Sequence, residues 1–336
     1  MRVALALGSG SARGYAHIGV IDELRSRGYE IVGISGSSMG ALVGGLYAAG
    51  KLDEFAEWAS TLTQRAVLRL LDPSLSAAGI LRAEKILDAV RDILGDVTIE
   101  ELPIPYTAVA TDLIAGKSVW LQRGRVDAAI RASIAIPGVI APHTLDGRLL
   151  GDGGILDPLP MAPIAAVNAD LTIAVSVSGS ETEPAAAPDT EAGAGAKPST
   201  EWLNRMLRST SAVLDTAAVR SVLDRPTARA VLSRFGASIT DDASDASGDV
   251  GAEDDKAVPV IEPTESAGVP RLGSFEVMYR TIDIAQAALA RHTLAAYPPD
   301  LLIEVPRTVC RSLEFNRAAE VIAAGRQLAA QALDRA

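Results

Sequence analysis

Ser38 lies in a segment whose residue types and spacing suit nucleophilic chemistry. Gly36, Ser38 and Gly40 form a G-x-S-x-G pattern between a predicted strand and a predicted helix. Such a turn lifts the serine hydroxyl out of the backbone and places it at the positive end of the helix dipole. The pattern therefore predicts Ser38 as a nucleophile, with Gly36 and Gly40 allowing the tight turn. Ser37 is the alternative serine, and a helix start that merely packs closely is the non-catalytic interpretation.

A second turn, residues 8–14, has a composition that suits an anion. Its small residues precede a predicted helix, where backbone N–H groups can point into open space and stabilise a negatively charged oxygen. We expect an oxyanion hole here, with the N–H groups of Gly10, Ser11 and Ala12 as donors. The loop residues assigned to this site are Gly8, Gly10, Ser11, Ala12, Arg13 and Gly14.

A dinucleotide-binding loop is the alternative interpretation of this turn. In a G-x-G-x-x-G loop the third glycine allows close packing of helix and strand, but this chain has Arg13 there. The acidic residue that would bind ribose belongs at the end of the second strand, whereas Glu30 begins that strand. Both departures favour the oxyanion site.

Asp152 is the best-placed candidate for the base that a serine nucleophile needs. It lies between Gly151 and the pair Gly153-Gly154, after Arg148-Leu149-Leu150. A carboxylate with an ordinary pKa of about 4 is a weak base, so burial must raise the pKa for this role. The alternative for Asp152 is a turn residue in a hairpin. Asp112 is a second strand-end carboxylate, which we interpret as supporting.

None of the three histidines has the sequence context of a catalytic base. His17 lies in the first turns of a predicted helix and is expected to be structural. His143 lies on a predicted loop before Asp152, and His292 lies on a late helix with an exposed position expected. Because none of the three histidines is a suitable candidate, Asp152 is favoured as the base.

Together the three motifs resemble those of the bacterial patatin-like phospholipases, which are related to the catalytic domain of neuropathy target esterase. Segments 130–138 and 156–160 also resemble that family, and the likeness covers residues 2–178 well and 275–305 more weakly. It implies a three-layer α/β/α fold with a mainly parallel central sheet and a Ser38–Asp152 dyad without histidine. It also implies hydrolysis of acyl esters in (lyso)phospholipids or related lipids, without metal or cofactor. Family loops often have glycine where this chain has Ser9 and Ser11.

A non-catalytic or regulatory acyl-binding protein on the same fold is the alternative function. The intact Ser38 and Asp152 motifs and the intact glycine loop argue against it.

The elements that position these motifs alternate between strand and helix. Predicted strands are residues 3–7, 30–35, 106–111, 118–122, 171–177 and 301–305. Predicted helices are residues 14–27, 39–49, 52–71, 83–94, 126–133, 275–296 and 318–333. The alternation indicates a parallel sheet covered on both faces, with 171–177 as the strand that closes it.

Composition divides the chain into a catalytic core at 1–178, a flexible acidic insertion at 179–271 and a C-terminal helix-strand-helix at 272–336. The arginine-rich helical stretch at 201–235 suits peripheral contact with an anionic membrane, and a solvated lid is the simpler alternative. The net charge of −11 excludes nucleic acid as an expected partner. The single cysteine, Cys310, and the lack of a signal-peptide pattern lead us to expect a cytoplasmic protein.

Overall fold

A computed structural model of the chain describes residues 1–70, 84–137, 139–179 and 274–336. Met1–Ala187 and Met278–Ala336 belong to one compact unit, and of a second unit, Pro188–Val277, only residues 274–277 are described. The insertion predicted at 179–271, with its helical stretch at 201–235, lies outside the described residues apart from Gly179 and remains a prediction. Within the described ranges, no helix has both the length and the apolar character needed to cross a membrane.

An eight-stranded mixed sheet forms the centre of the first unit. Its strands are β1 (Arg2–Leu7), β2 (Glu30–Ser37), β3 (Tyr106–Asp112), β4 (Lys117–Leu121), β5 (His143–Leu145), β6 (Arg148–Asp152), β7 (Leu171–Gly179) and β8 (Leu301–Pro306). Five strands run parallel in the order β3-β2-β1-β7-β8. At the β3 end, β4 and β6 pair antiparallel with β3, and β5 pairs antiparallel with β6. The prediction that 171–177 closes the sheet is wrong, because β7 is buried between β1 and β8. The half-buried β8 forms that edge.

Helices cover both faces of this sheet and make three layers. They are α1 (Ala16–Ser26), α2 (Met39–Ala48), α3 (Leu52–Ser60), α4 (Gln64–Leu70), α5 (Glu84–Leu94), α6 (Val126–Ser133), α7 (Ser274–Ala296) and α8 (Ala318–Leu333). Leu7 of β1 lies beside Gly44 of α2 on one face. Ala4 and Ala6, which point to the opposite face, cluster with Ala290 of α7. The predicted three-layer α/β/α fold is confirmed.

The helix predicted over 52–71 is divided into α3 and α4 by three hydroxyl residues. Ser60 and Thr61 donate their hydroxyls to the carbonyls of Ala56 and Trp58, which satisfies the end of α3. The Thr63 hydroxyl then accepts the Ala66 N–H at 3.2 Å and begins α4. The prediction of one continuous helix was wrong, since its apolar spacing continues across the break.

β2 and β6 meet end to end along one edge of β3. β4 occupies one edge of β3 over residues 108–112, so β2 and β6 must share the other edge. The last residue of β2, Ser37, pairs with Val109, and the last residue of β6, Asp152, pairs with the next residue, Ala110. β2 is parallel to β3 and β6 is antiparallel to it, so the carboxyl ends of both strands face each other. The residues that follow Ser37 therefore meet Asp152.

Helices α1 and α8 cross in direct backbone contact through two glycines. A Cβ at Gly19 would overlap the Ile322 carbonyl, and a Cβ at Gly325 would overlap the Ala16 backbone. The C-terminal helix is thereby fixed against the helix that follows β1 and the glycine loop.

We predict that Gly325→Ala lowers the free energy of unfolding by roughly 1–3 kcal/mol, because the added methyl forces the two helices apart. Helix propensity alone predicts the opposite, a gain of about 1 kcal/mol. Urea unfolding followed by circular dichroism measures the difference. Ala323→Gly, at an exposed position of α8, is the control and should cost about 1 kcal/mol from propensity. A Gly325→Ala variant as stable as the natural protein would contradict the close crossing.

Candidate active site

Ser38 and Asp152 are joined by a hydrogen bond where β2 and β6 meet. The Ser38 hydroxyl donates to Asp152 Oδ2 at 2.6 Å, and each residue is only 2% exposed. The other carboxylate oxygen, Oδ1, accepts the Gly154 N–H at 2.7 Å. Burial raises the pKa of Asp152 to about 6, although both hydrogen bonds act to lower it. The hydroxyl therefore faces a carboxylate that can accept a proton close to neutral pH.

The backbone of Ser38 has an unfavourable conformation that its neighbours hold in place. Its φ of 56° and ψ of −121° lie in a region that residues with a Cβ seldom adopt. The Ser38 N–H donates to the Ser133 hydroxyl at 2.9 Å, and that hydroxyl donates to the Val109 carbonyl at 2.6 Å. Ser133 thus bridges the turn to β3. The sequence analysis assigned no role to Ser133. Its position on the buried face of α6 is the feature that could have identified it.

The glycines of the first two motifs lie where their segments touch. A Cβ at Gly40 would overlap the Leu7 carbonyl, and a Cβ at Gly14 would overlap the Met39 side chain. Gly36 has the same constraint within the turn, since its Cβ would overlap the Gly40 backbone. The glycine loop and the Ser38 turn are therefore in backbone contact.

The glycines after Asp152 complete this packing. A Cβ at Gly153 would overlap the Val109 carbonyl, and one at Gly154 would overlap the Ser9 side chain. A Cβ at Gly14, Gly36, Gly40, Gly153 or Gly154 would thus overlap a neighbouring backbone or side chain, so close packing around the three motifs needs glycine at these positions.

Most N–H groups at the start of the glycine loop are already used within the protein. The Gly8 N–H donates to the Val175 carbonyl at 2.9 Å, and the Ser9 N–H donates to the Pro158 carbonyl at 2.7 Å. Further along the loop, the Ala12 N–H donates to the Ser312 carbonyl at 3.1 Å, and the Arg13 N–H donates to the Gly10 carbonyl at 3.2 Å. The N–H groups of Gly10 and Ser11 have no hydrogen-bond acceptor among the residues that the structure describes. Ser11 has a φ of 49°, a left-handed conformation that costs a serine more than a glycine.

Two residues of α7 hold the glycine loop from outside. The Arg13 guanidinium, only 4% exposed, donates to Asp283 Oδ2 at 2.9 Å. The Ser9 hydroxyl donates to Gln286 Oε1 at 3.3 Å. Asp283 and Gln286 are one helical turn apart, and no motif identifies them in the sequence. The glycine loop thus depends on a helix far along the chain.

The remaining titratable candidates lie apart from the Ser38–Asp152 pair. The carboxylate of Asp112 accepts the N–H groups of Ile114 and Ala115, and these bonds keep its pKa below the ordinary value. Burial lowers the pKa of His17 to about 4, so the ring is neutral and donates Nε2–H to the Gly8 carbonyl at 2.8 Å. His143 lies on β5 rather than on a loop, and His292 is exposed on α7.

A family model described as patatin-like phospholipase matches residues 5–165. An uncharacterized NTE family protein of Mycobacterium tuberculosis (strain ATCC 25618 / H37Rv) is 72% identical over 337 residues, which cover 99% of this chain and 91% of that protein. The neuropathy target esterase sws of Drosophila melanogaster is 31% identical over 186 residues, 53% of this chain and 13% of that protein. VipD from Legionella pneumophila, a crystal structure, aligns with 99% of this chain and 66% of its own, with a TM-score of 0.43 and 15% identity.

The family model and the mycobacterial relative confirm the resemblance inferred from the three motifs. The chain belongs to the NTE family and has a patatin-like phospholipase domain at residues 5–165.

Proposed function

We propose that this protein is a serine hydrolase that cleaves acyl esters of (lyso)phospholipids or related lipids, with Ser38 as nucleophile and Asp152 as base. Membership of the NTE family supports lipid esterase activity in general. The observation that carries the proposal is the 2.6 Å hydrogen bond from the Ser38 hydroxyl to the buried Asp152 carboxylate. A hydroxyl is a useful nucleophile only beside a group that can take its proton.

In the proposed reaction, Ser38 Oγ attacks the acyl carbonyl carbon while its proton passes to Asp152. The carbonyl oxygen becomes an oxyanion, which the unused N–H groups of Gly10 and Ser11 would stabilise. The ester C–O bond then breaks, and the leaving alcohol takes the proton from Asp152. Water attacks the acyl-Ser38 ester, gives one proton to Asp152 and releases the fatty acid as Ser38 regains its hydrogen.

The raised pKa of Asp152 is what allows a carboxylate to act without histidine. With its pKa at about 6, the group is ionised at neutral pH yet more basic than an ordinary aspartate. General-base catalysis is most effective when the pKa of the base lies near the working pH. The proposed reaction uses no metal and no cofactor.

We expect Ser38→Ala to lower the hydrolysis of p-nitrophenyl acyl esters by at least about a thousandfold, because the nucleophile is removed. Ser37→Ala is the matched control in the same turn. The buried Ser37 hydroxyl has no hydrogen-bond partner among the described residues, so its removal should leave the rate within about twofold. Activity that survives in Ser38→Ala and disappears in Ser37→Ala would assign the nucleophile to Ser37.

Activity should fall as the pH falls through about 6, because protonated Asp152 cannot accept the proton of Ser38. The measurement is kcat/KM for a soluble ester between pH 4.5 and 8, where we expect a plateau above pH 7 and about a tenfold loss per pH unit on the acid side.

Asp157→Asn is the control for this pH profile. Burial also raises the pKa of Asp157 to about 6, but the Ser38 hydroxyl is bonded to Asp152. The fall of kcat/KM at low pH should remain in this variant. Its disappearance would show that Asp157 rather than Asp152 sets the pH dependence.

Asp152→Asn should inactivate the protein and also change how its stability depends on pH. The pKa of Asp152 is higher in the folded protein than in the unfolded chain, so the folded state binds more protons between about pH 4 and pH 6. The contribution of Asp152 to the stability of the natural protein should therefore decrease as the pH rises through this window, by about 3 kcal/mol at most. Asp152→Asn lacks this loss.

Thermal unfolding of both proteins at pH 4.5 and pH 7.5 measures the difference. We expect the Tm of Asp152→Asn to rise relative to that of the natural protein at the higher pH. Asp112→Asn is the control, because the pKa of Asp112 is shifted in the opposite direction. A constant Tm difference between Asp152→Asn and the natural protein at both pH values would contradict the buried, raised-pKa carboxylate.

A further inference from the structure

Arg13 is a buried cation of the glycine loop, and the acid that pairs with it lies on α7. The guanidinium is 4% exposed and donates to Asp283 Oδ2 at 2.9 Å. Among the described residues, Asp283 is the acid with which Arg13 forms an ion pair. The Arg307 guanidinium in turn donates to the Asp283 carbonyl at 3.4 Å. A buried charge without a partner is strongly unfavourable, so Asp283 fixes the place of the Arg13 side chain.

Arg13 holds the carbonyl of Gly10 through two hydrogen bonds. Its backbone N–H donates to that oxygen at 3.2 Å, and its side-chain Nε–H makes a long hydrogen bond to the same oxygen at 3.5 Å. A peptide unit is planar and trans, so the Gly10 carbonyl and the Ser11 N–H point in opposite directions. Contacts that hold the carbonyl on one side therefore aim the Ser11 N–H to the other side. There it has no acceptor among the residues that the structure describes.

The conformation of Ser11 works against this orientation of the peptide. Its φ of 49° lies in the left-handed region, which a serine seldom adopts. Reversal of the Gly10–Ser11 peptide would turn this φ by about 180°, into the extended region that serine favours. It would also replace the Ser11 N–H by a carbonyl oxygen, which repels an oxyanion. The backbone strain at Ser11 therefore favours reversal, and the bonds to Arg13 oppose it.

The residues around this peptide are fixed, so the peptide itself is the part that can turn. A Cβ at Gly10 would overlap the Val177 side chain, which shows that the Gly10 Cα packs against β7. On the other side, the Ala12 N–H donates to the Ser312 carbonyl at 3.1 Å. A change in the loop is thereby confined to the single peptide that Arg13 holds.

We propose that Asp283 is a positioning residue: through Arg13 it holds the Gly10–Ser11 peptide with its N–H available to the oxyanion. This inference rests on the proposed function, which assigns that N–H to the oxyanion hole. Asp283 lies outside residues 5–165, which the family model matches, and so joins the C-terminal part of the chain to the reaction.

The kinetics of Asp283→Asn with a soluble short-chain ester test the proposal. We expect kcat to fall about tenfold or more, because an oxyanion donor acts on the transition state and loss of one costs about a hundredfold. KM should stay within about twofold, since the bound substrate does not depend on that donor. An unchanged kcat, or a raised KM alone, would overturn the proposal.

Ser11→Gly separates positioning from a purely structural role. Glycine keeps the backbone N–H and adopts a φ of 49° without strain, so the peptide no longer depends on Asp283. In the Ser11→Gly background, the loss of kcat caused by Asp283→Asn should therefore shrink to about threefold or less. An equal loss in both backgrounds would contradict the proposal, because Asp283 would then act only through the stability of the fold.

Glu23→Gln is the matched control for the loss of an ion pair. Glu23 is a part-buried acid that pairs with Arg27 and Arg326 between α1 and α8. This variant should lower the Tm while kcat stays within about twofold of the natural value. A loss of kcat equal to that of Asp283→Asn would refute a specific role for Asp283.

A second pair of substitutions serves if Asp283→Asn fails to fold with Arg13 left unpaired. Arg13→Met combined with Asp283→Leu removes both charges together, a change that buried ion pairs often tolerate. The same loss of kcat, and the same reduction of that loss by Ser11→Gly, are expected. A natural kcat in this double variant would overturn the proposal.

Ser38→Ala decides separately on the proposed function. Hydrolysis retained in Ser38→Ala would remove the basis for an oxyanion site altogether. An inactive Ser38→Ala beside a fully active Asp283→Asn would overturn the positioning role alone.

Discussion

The hydrogen bond between Ser38 and Asp152 depends on two strands that stop at the same point of β3. β2 ends opposite Val109 and β6 ends opposite Ala110, with their carboxyl ends facing each other. Parallel strands alone place their ends side by side along an edge, about 5 Å apart. An antiparallel β6 on the same edge instead brings a second chain end directly toward the Ser38 turn. The mixed character of the sheet is therefore a requirement of the site.

The second constraint is the close packing of three segments: the glycine loop, the Ser38 turn and the turn after Asp152. This packing explains why glycine occurs where the segments meet. Gly14, Gly40 and Gly154 each lie where a methyl group would overlap a neighbouring segment. The packing excludes water from the carboxylate, and this burial raises the pKa of Asp152 to about 6. Tight packing, desolvation and basicity are thus consequences of one arrangement. The unfavourable φ of Ser38 persists because Ser133 and Val109 hold the turn.

The sequence was informative where chemistry depends on local geometry. A strand, a glycine-bounded serine and a helix follow one another directly, so the Ser38 turn could be predicted from residues 30–49. The partner contacts could not, because they join distant parts of the chain. Ser133 reaches the turn from α6, and Asp283 reaches Arg13 from α7, with no local pattern to mark either residue. The short β5 and β6 also lack the length that makes alternation recognisable.

Covalent labelling with a fluorophosphonate, followed by peptide mass spectrometry, is the decisive experiment on the Ser38–Asp152 pair. The probe reacts with a serine hydroxyl only where a base activates it. We expect one modified residue, Ser38, in the folded natural protein, and loss of that modification in Asp152→Asn. Labelling of another serine, no labelling in a folded preparation, or equal labelling of Asp152→Asn would contradict it.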